Sequence, residues 1–180
     1  AANYLKKPII YLNQVGGNDD LIFDGNSFIL DKKGLKSKQL KSFKEDFYCW
    51  NANENNSHLV KERHISKFET IFDALVLGVK DYAKKCGFKT ALIGLSGGID
   101  SALVTVIATA AFGHNNVFAI ALPSKWNSLD SKIDAEELAK NLNINFNILP
   151  INDIVKTFES DFQKFLYTTI NGIAHENIQS

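Results

Sequence analysis

The sequence predicts an α/β protein built on a doubly wound parallel sheet. Three observations carry this. From Thr90 onward, apolar runs of strand length alternate with amphipathic stretches of helix length. The first of those strands runs into a glycine pair and then a helix, in Ala91-Leu92-Ile93-Gly94-Leu95-Ser96-Gly97-Gly98-Ile99-Asp100-Ser101. Ahead of it, residues 8–40 hold short β-rich runs between turn residues, a meander too small to bury a core alone.

In chain order, Pro8 to Leu12 is β-rich and Gln14 to Asp20 is turn-rich. Leu21 to Phe23 and Ser27 to Leu30 are short apolar runs around Asp24-Gly25-Asn26, Lys32-Lys33-Gly34 signals a turn, and Leu35 to Leu40 suits an edge strand. Asn18-Asp19-Asp20 reads as a turn cluster rather than a metal site. Residues 44–63 are polar and aperiodic, as a linker would be; His58 and His64 near them read as surface residues, and Cys49 as a bland free thiol. A helix is expected from about Ser66 to Lys85, because Phe68, Ile71, Phe72, Leu75, Val76, Val79 and Tyr82 recur at three- and four-residue steps. Gly87 ends it.

The alternation then begins. Thr90 to Leu95 is a strand, and Ala102 to Phe112 is a helix stopped by Gly113. Asn116 to Leu122 is the second strand, a helix runs from about Ser131 to Asn143, and Asn145 to Ile151 is the third strand. Ile154, Val155, Phe158, Phe162 and Phe165 mark a last amphipathic helix. Ligands of such sheets bind outside the carboxyl ends of the strands, where Ser96, Ser124 and the Pro150-Ile151 corner fall.

Strand, glycine turn and helix is the plan of a phosphate-binding loop. A helix start leaves backbone N–H groups unpaired and carries partial positive charge, and glycines let the backbone approach an anion. Ser96 and Ser101 offer hydroxyl donors, and a side chain at Gly98 is expected both to block the anion and to strain the turn. Asp100 is the odd member, because a carboxylate facing phosphate makes sense when Mg²⁺ lies between them. The kinase-type loop Gly-x-x-x-x-Gly-Lys-Ser/Thr and the dinucleotide fingerprint Gly-x-Gly-x-x-Gly are both absent.

Twenty basic residues balance 20 acidic ones, so net charge points to neither nucleic acid nor a membrane surface. No apolar run approaches the ~20 residues of a membrane span. The polar start Ala1 to Lys7 does not resemble a secretory signal, and the 2 cysteines lack metal spacing; a reducing cytoplasm is the expected location.

The motif Ser96-Gly97-Gly98-Ile99-Asp100-Ser101 resembles the pyrophosphate loop of the ATP pyrophosphatases, which adenylate an oxygen of the substrate and release pyrophosphate. Tyr11 to Phe28 resembles the late strands of the nitrilase-type glutaminase domain of glutamine-dependent NAD⁺ synthetases. The span from Ile65 to Ser180 is similar to the synthetase domain of that family. Leu122-Pro123-Ser124-Lys125-Trp126-Asn127-Ser128, then Ser131 and Asp134-Ala135, follow its Pro-Ser-x-Tyr-Ser-Ser…Asp-Ala segment, with Trp126 for Tyr and Asn127 for Ser. Glu176-Asn177-Ile178-Gln179 follows its Glu-Asn-x-Gln segment.

The resemblance implies a Rossmann-like sheet of the adenine nucleotide alpha hydrolase type, preceded by the last strands of a nitrilase-like sandwich. It implies three parts: 1–43 from the end of the glutaminase domain, 44–63 as linker, and 64–180 from the start of the synthetase domain. The chain is thus expected to be an internal fragment, inactive alone, of a cytoplasmic homo-oligomeric ligase. That enzyme would amidate deamido-NAD⁺ to NAD⁺ through an adenylated intermediate, using ATP, Mg²⁺ and glutamine-derived ammonia. Gly94, Leu95, Ser96, Gly97, Gly98, Ile99, Asp100, Ser101 and Ser124 would hold ATP, Asp100 would bind Mg²⁺, and Asn177 would contact deamido-NAD⁺. No glutaminase catalytic residue carries over. Another pyrophosphatase-loop amidotransferase, such as a GMP synthetase, and an inert nucleotide-binding fragment remain the rival readings.

Overall fold

A computed structural model describes residues 1–51, 66–123 and 129–166. Its contacts divide the chain into two units, Ala1–Gly87 and Phe88–Ser180. Ser124, Trp126, Asn127, Asn177, His58 and His64 lie outside the described residues, as does most of the expected linker.

The first unit opens with a single helical turn, α1 (Ala2–Leu5), followed by β1 (Ile9–Tyr11), β2 (Val15–Asn18), β3 (Leu21–Asp24), β4 (Phe28–Leu30) and β5 (Lys36–Gln39). β1, β4 and β5 form an antiparallel sheet in the order β1-β4-β5, with Ile10 opposite Ile29. The expected turn before β5 is built by Asp31, whose carboxylate accepts the N–H groups of Lys33 and Leu35, each at 2.8 Å. Past β5, Asp46 accepts backbone N–H bonds from Lys41 at 3.1 Å and Phe47 at 3.0 Å, which hold its carboxyl below the usual carboxylate range.

β2 and β3 form a separate hairpin. The sequence reads Gln14 to Asp20 as turn; the structure makes Val15–Asn18 a strand and keeps Asp19-Asp20 as the turn, with Asp19 at φ 51. The physical reason is a helix lying close against it. α2 (Lys67–Cys86) presses Gly78 and Asp81 onto the glycines of β2. Gly17 N–H donates to Asp81 Oδ2 at 2.8 Å, and a Cβ on Gly16 would lie 2.8 Å from that same oxygen. Lys85 Nζ donates to Gly17 O from the next turn of the helix. Glycine in a strand here marks a close approach rather than a break.

The ends of α2 follow the sequence closely. Ser66 caps it by accepting Glu69 N–H at 3.1 Å, and Gly87 closes it at φ 75. Its apolar stripe behaves differently from expectation. Phe68 is 83% and Tyr82 65% exposed, because Gly78, Asp81 and Lys85 occupy the face turned to the hairpin.

The second unit holds β6 (Ala91–Gly94), α3 (Ile99–Phe112), a 3-10 turn at His114–Asn116, β7 (Val117–Ala121), α4 (Leu129–Asn141), β8 (Asn145–Ile148) and α5 (Asn152–Leu166). The sheet is parallel, in the order β6-β7-β8, with Ile93 opposite Ala119 and Ala119 opposite Phe146. Sequential order with right-handed crossovers puts α3 and α4 on one face. Burial agrees: Val117, Ala119 and Ala121 are buried while Phe118 between them is 39% exposed. Leu95, Ala119, Ala135 and Ala139 form the core, with Leu138, Ile144 and Phe146 packed on it. Alanines on both sides let α4 lie close to the sheet. Leu92, on the other face with Phe118, is 69% exposed, so the described strands form one wound half of such a sheet.

Asp81→Ala should loosen the hairpin from α2. A hydrogen bond to a charged group contributes about 1.5–3 kcal/mol, so the Gly17 amide should exchange its hydrogen at least about tenfold faster in the variant. Unchanged exchange would show that the Asp81 contact contributes nothing.

Candidate functional site

The loop between β6 and α3 sits at the carboxyl end of the parallel strands. Leu95 carries the β6 ladder one residue further, donating its N–H to Ile120 O at 2.9 Å, and its side chain is buried in the core. This anchors the entry to the loop. Ser96 follows, exposed, and then Gly97 turns the chain at φ 85. Gly98 is the N-cap of α3 at φ −80 and ψ 157, with no side-chain cap.

The helix begins at Ile99, three residues earlier than its apolar periodicity suggests, so Asp100 and Ser101 stand in its first turn. Aspartate is stabilising at a helix start, and Ser101 takes its place through local bonds instead of apolar packing. Its Oγ donates to Gly98 O at 2.9 Å, lies 3.0 Å from Ser96 Oγ, and accepts Ser96 N–H at 3.2 Å. Ser96 Oγ accepts Gly98 N–H at 3.3 Å. Beneath them, the fully buried Thr105 donates to Ser101 O at 2.7 Å. Among the described residues, no acceptor meets the N–H groups of Gly97, Ile99, Asp100 or Ser101. These groups, at the positive end of a helix of 14 residues, form a cradle for an anion.

The structure therefore brings Gly94 to Ser101 together where the last residue of β6 turns through Leu95–Gly98 into the first turn of α3. It corrects the glycine that governs the turn. Gly98 has dihedrals open to any residue, and a Cβ there would lie 3.4 Å from Ser96 Oγ, an ordinary contact. Gly97 is the constrained one. Its φ is left-handed, and a Cβ there would lie 2.1 Å from the backbone oxygen of Ser131 in α4. Sequence reasoning missed this approach, since nothing in the spacing of Gly97 and Ser131 announces it. Gly94 meets the opposite condition: a Cβ there would find nothing within 4 Å.

Asp100 is exposed, and among the described residues no group of three His, Cys, Asp or Glu side chains could hold a metal ion. One hard carboxylate oxygen donor fits Mg²⁺, which keeps several waters and takes its remaining ligands from phosphates. It does not fit a closed structural metal site.

The NAD synthase family model matches residues 71–180. A glutamine-dependent NAD⁺ synthetase of Synechocystis sp. is 42% identical over the whole chain, which covers 33% of that protein. A solved glutamine-dependent NAD⁺ synthetase of Acinetobacter baumannii, in complex with ADP, superposes with a TM-score of 0.85 at 36% identity, over 99% of this chain and 34% of the other. An NH3-dependent NAD synthetase of Campylobacter jejuni, in complex with nitrate, matches at a TM-score of 0.53 and 25% identity, over 63% of this chain and 47% of the other. The chain thus spans about a third of the length of the curated relatives it matches.

Gly97→Ala should destabilise the protein by about 1–3 kcal/mol, through the left-handed dihedral and the clash with Ser131. Gly98→Ala should stay within about 1 kcal/mol of wild type. Denaturation midpoints of the two variants compare them directly, and equal midpoints would refute the assignment.

Proposed function

The chain belongs to the NAD synthase family, and from that premise we propose that it carries the ATP-phosphate site of a glutamine-dependent NAD⁺ synthetase. The observation that carries the reading is the loop itself: a glycine turn opening α3 with unpaired N–H groups and a single carboxylate beside them. The relatives support the substrate side. Matches to glutamine-dependent enzymes span nearly the whole chain, whereas the match to the NH3-dependent enzyme covers 63% of it. Family membership weighs against a GMP synthetase. We assign residues 1–43 to the end of the glutaminase domain, 44–63 to the linker and 64–180 to the start of the synthetase domain.

In the proposed reaction the nicotinate carboxylate of deamido-NAD⁺ attacks the α-phosphorus of ATP and pyrophosphate leaves. Ammonia from glutamine then attacks the acyl carbon and AMP leaves, giving the amide of NAD⁺. The N–H groups of Gly97, Ile99, Asp100 and Ser101 bind the phosphates and orient the α-phosphorus for in-line attack. Binding and positioning of this kind, with charge stabilisation, supply most of the rate enhancement in phosphorus chemistry. Asp100 would hold Mg²⁺, which when bound would neutralise phosphate charge. Gly94 to Ser101 and Ser124 form the ATP site, and Asn177 contacts deamido-NAD⁺. The full-length enzyme is expected to be a cytoplasmic homo-oligomer acting on small molecules.

Asp100→Ala should abolish Mg²⁺-dependent pyrophosphate release in the full-length enzyme while the fold persists, because an ion bridge to phosphates is worth several kcal/mol of transition-state stabilisation. Pyrophosphate release assayed with and without deamido-NAD⁺ tests both reading and residue. Near-normal release by the variant would remove Asp100 from the metal site, and release indifferent to deamido-NAD⁺ in the wild type would sink the substrate assignment. Residues 1–180 expressed alone should form no NAD⁺ from glutamine or ammonia, because the exposed Leu92 and Phe118 leave one sheet face uncovered. A soluble monomer of that piece turning over at an enzyme-like rate would overturn this.

A further inference from the structure

We propose that Asp81 and Lys85 are positioning residues that latch α2 onto Gly17 and so join the glutaminase and synthetase halves, a role that rests on the domain assignment made under the proposed function. Glutamine-driven synthesis depends on this latch, and ammonia-driven synthesis does not. Two boundaries in the chain disagree, and α2 lies between them. The NAD synthase family model begins at residue 71, so Gly78, Asp81 and Lys85 fall inside it. Packing places the same residues in the first unit, Ala1–Gly87, with the β2–β3 hairpin. α2 is thus synthetase by sequence, yet it is seated on strands assigned to the glutaminase.

The seat is specific. Among the described residues β2 pairs with β3 alone, which leaves its other edge without a strand. Both backbone polar groups of Gly17 go to α2 instead. Its N–H donates to Asp81 Oδ2 at 2.8 Å, and its carbonyl accepts from Lys85 Nζ. Asp81 Oδ2 and Lys85 Nζ lie 3.6 Å apart, one helical turn from each other, so the two side chains steady one another. The pair covers the strand edge as a third strand would. Two missing side chains set how close the helix comes. A Cβ on Gly16 would lie 2.8 Å from Asp81 Oδ2, and a Cβ on Gly78 would lie 2.9 Å from Ile22 Cδ1. The contact therefore has one register: residues 78, 81 and 85 share a side of the helix and meet residues 16, 17 and 22 of the hairpin.

α2 ends at Cys86 and β6 begins at Ala91, so residues 87–90 are all that separate the seat from the first parallel strand. A connection this short limits how far β6 can move while α2 stays seated. Ammonia freed from glutamine in one half must reach the acyl carbon in the other before it is lost to water, where it takes up a proton and stops being a nucleophile. A fixed seat between the halves keeps its effective concentration high. Ammonia supplied from solution needs no such handover, so that reaction is indifferent to the seat.

The full-length enzyme and its Asp81→Ala and Lys85→Met variants provide the test. NAD⁺ formation is measured with glutamine and with ammonia, together with the glutamate released per NAD⁺. Asp81→Ala should cut glutamine-driven synthesis about tenfold, the size of one hydrogen bond to a charged group. Its ammonia-driven rate should match wild type, and its glutamate per NAD⁺ should rise. Lys85→Met keeps the aliphatic stem and the Asp81 bond, and should move the ratio of the two rates in the same direction by less. An unchanged ratio in Asp81→Ala, whether both rates fall or neither does, would overturn the latch. If Asp81→Ala does not fold, Lys85→Met decides: a loss confined to glutamine supports the latch, and an unchanged ratio refutes it. A wild-type enzyme that forms NAD⁺ from neither source would refute the proposed function and the latch with it, whereas an active wild type beside an unchanged ratio refutes the latch alone.

Discussion

The second unit depends on one backbone approach. Gly97 turns the chain at φ 85 with the oxygen of Ser131 where its Cβ would be. That single missing side chain lets the loop lie against the start of α4. Leu95 can then stay in the core with Ala135 and Ala139, and α3 can start at Ile99 with its first N–H groups free. A side chain at position 97 would have to move either the loop or α4. Moving α4 would open the alanine contacts that seal one face of the sheet. The geometry of the candidate site and the packing of the core are thus consequences of the same contact.

Much of this was legible beforehand because it rests on local chemistry. Ser66 and Gly87 bracket α2 through their own backbone and side-chain preferences, and both do in the structure what those preferences dictate. The three parallel strands are apolar runs with few alternatives, and each falls within the residues expected of it. What escaped reading depends on a partner distant in sequence. β2 contains Gly16 and Gly17 because a helix some 60 residues later needs the space, so a strand looked like a turn. The same contact leaves much of the apolar stripe of α2 exposed, with Phe72 and Val76 partly buried. Of the two loop glycines, local sequence could not say which is strained, because Ser131 decides it.

The apolar run of α3 starts later than the helix itself for a related reason. Asp100 and Ser101 are polar and break the apolar run between Ile99 and Ala102, and such a run reports packing rather than backbone conformation. The first turn is held by polar bonds: Ser101 to Gly98, Ala102 N–H to Gly98 O at 3.0 Å, and Thr105 to Ser101. Helix starts commonly escape a pattern-based reading in this way, since their stabilisation comes from capping chemistry. Here the sequence names Ile99, Asp100 and Ser101 as candidate site residues but gives no sign that they already belong to the helix.

Under the proposed function, the charge pattern of the loop determines what it can hold. No lysine or arginine lies between Gly94 and Ala102, and the one ionisable side chain in that span is the carboxylate of Asp100. Two unit charges about 4 Å apart near a protein surface interact by about 4 kcal/mol. A net hydrogen bond from a backbone N–H to a charged oxygen contributes about 1.5–3 kcal/mol. A bare polyphosphate brought beside Asp100 would therefore lose to repulsion much of what the N–H groups contribute. A divalent cation between carboxylate and phosphate reverses the sign of that term. A loop with a lysine would attract any phosphate, with or without metal. This loop, with a carboxylate in that place, favours the metal complex of the nucleotide over the free anion, and it does so without a single basic side chain.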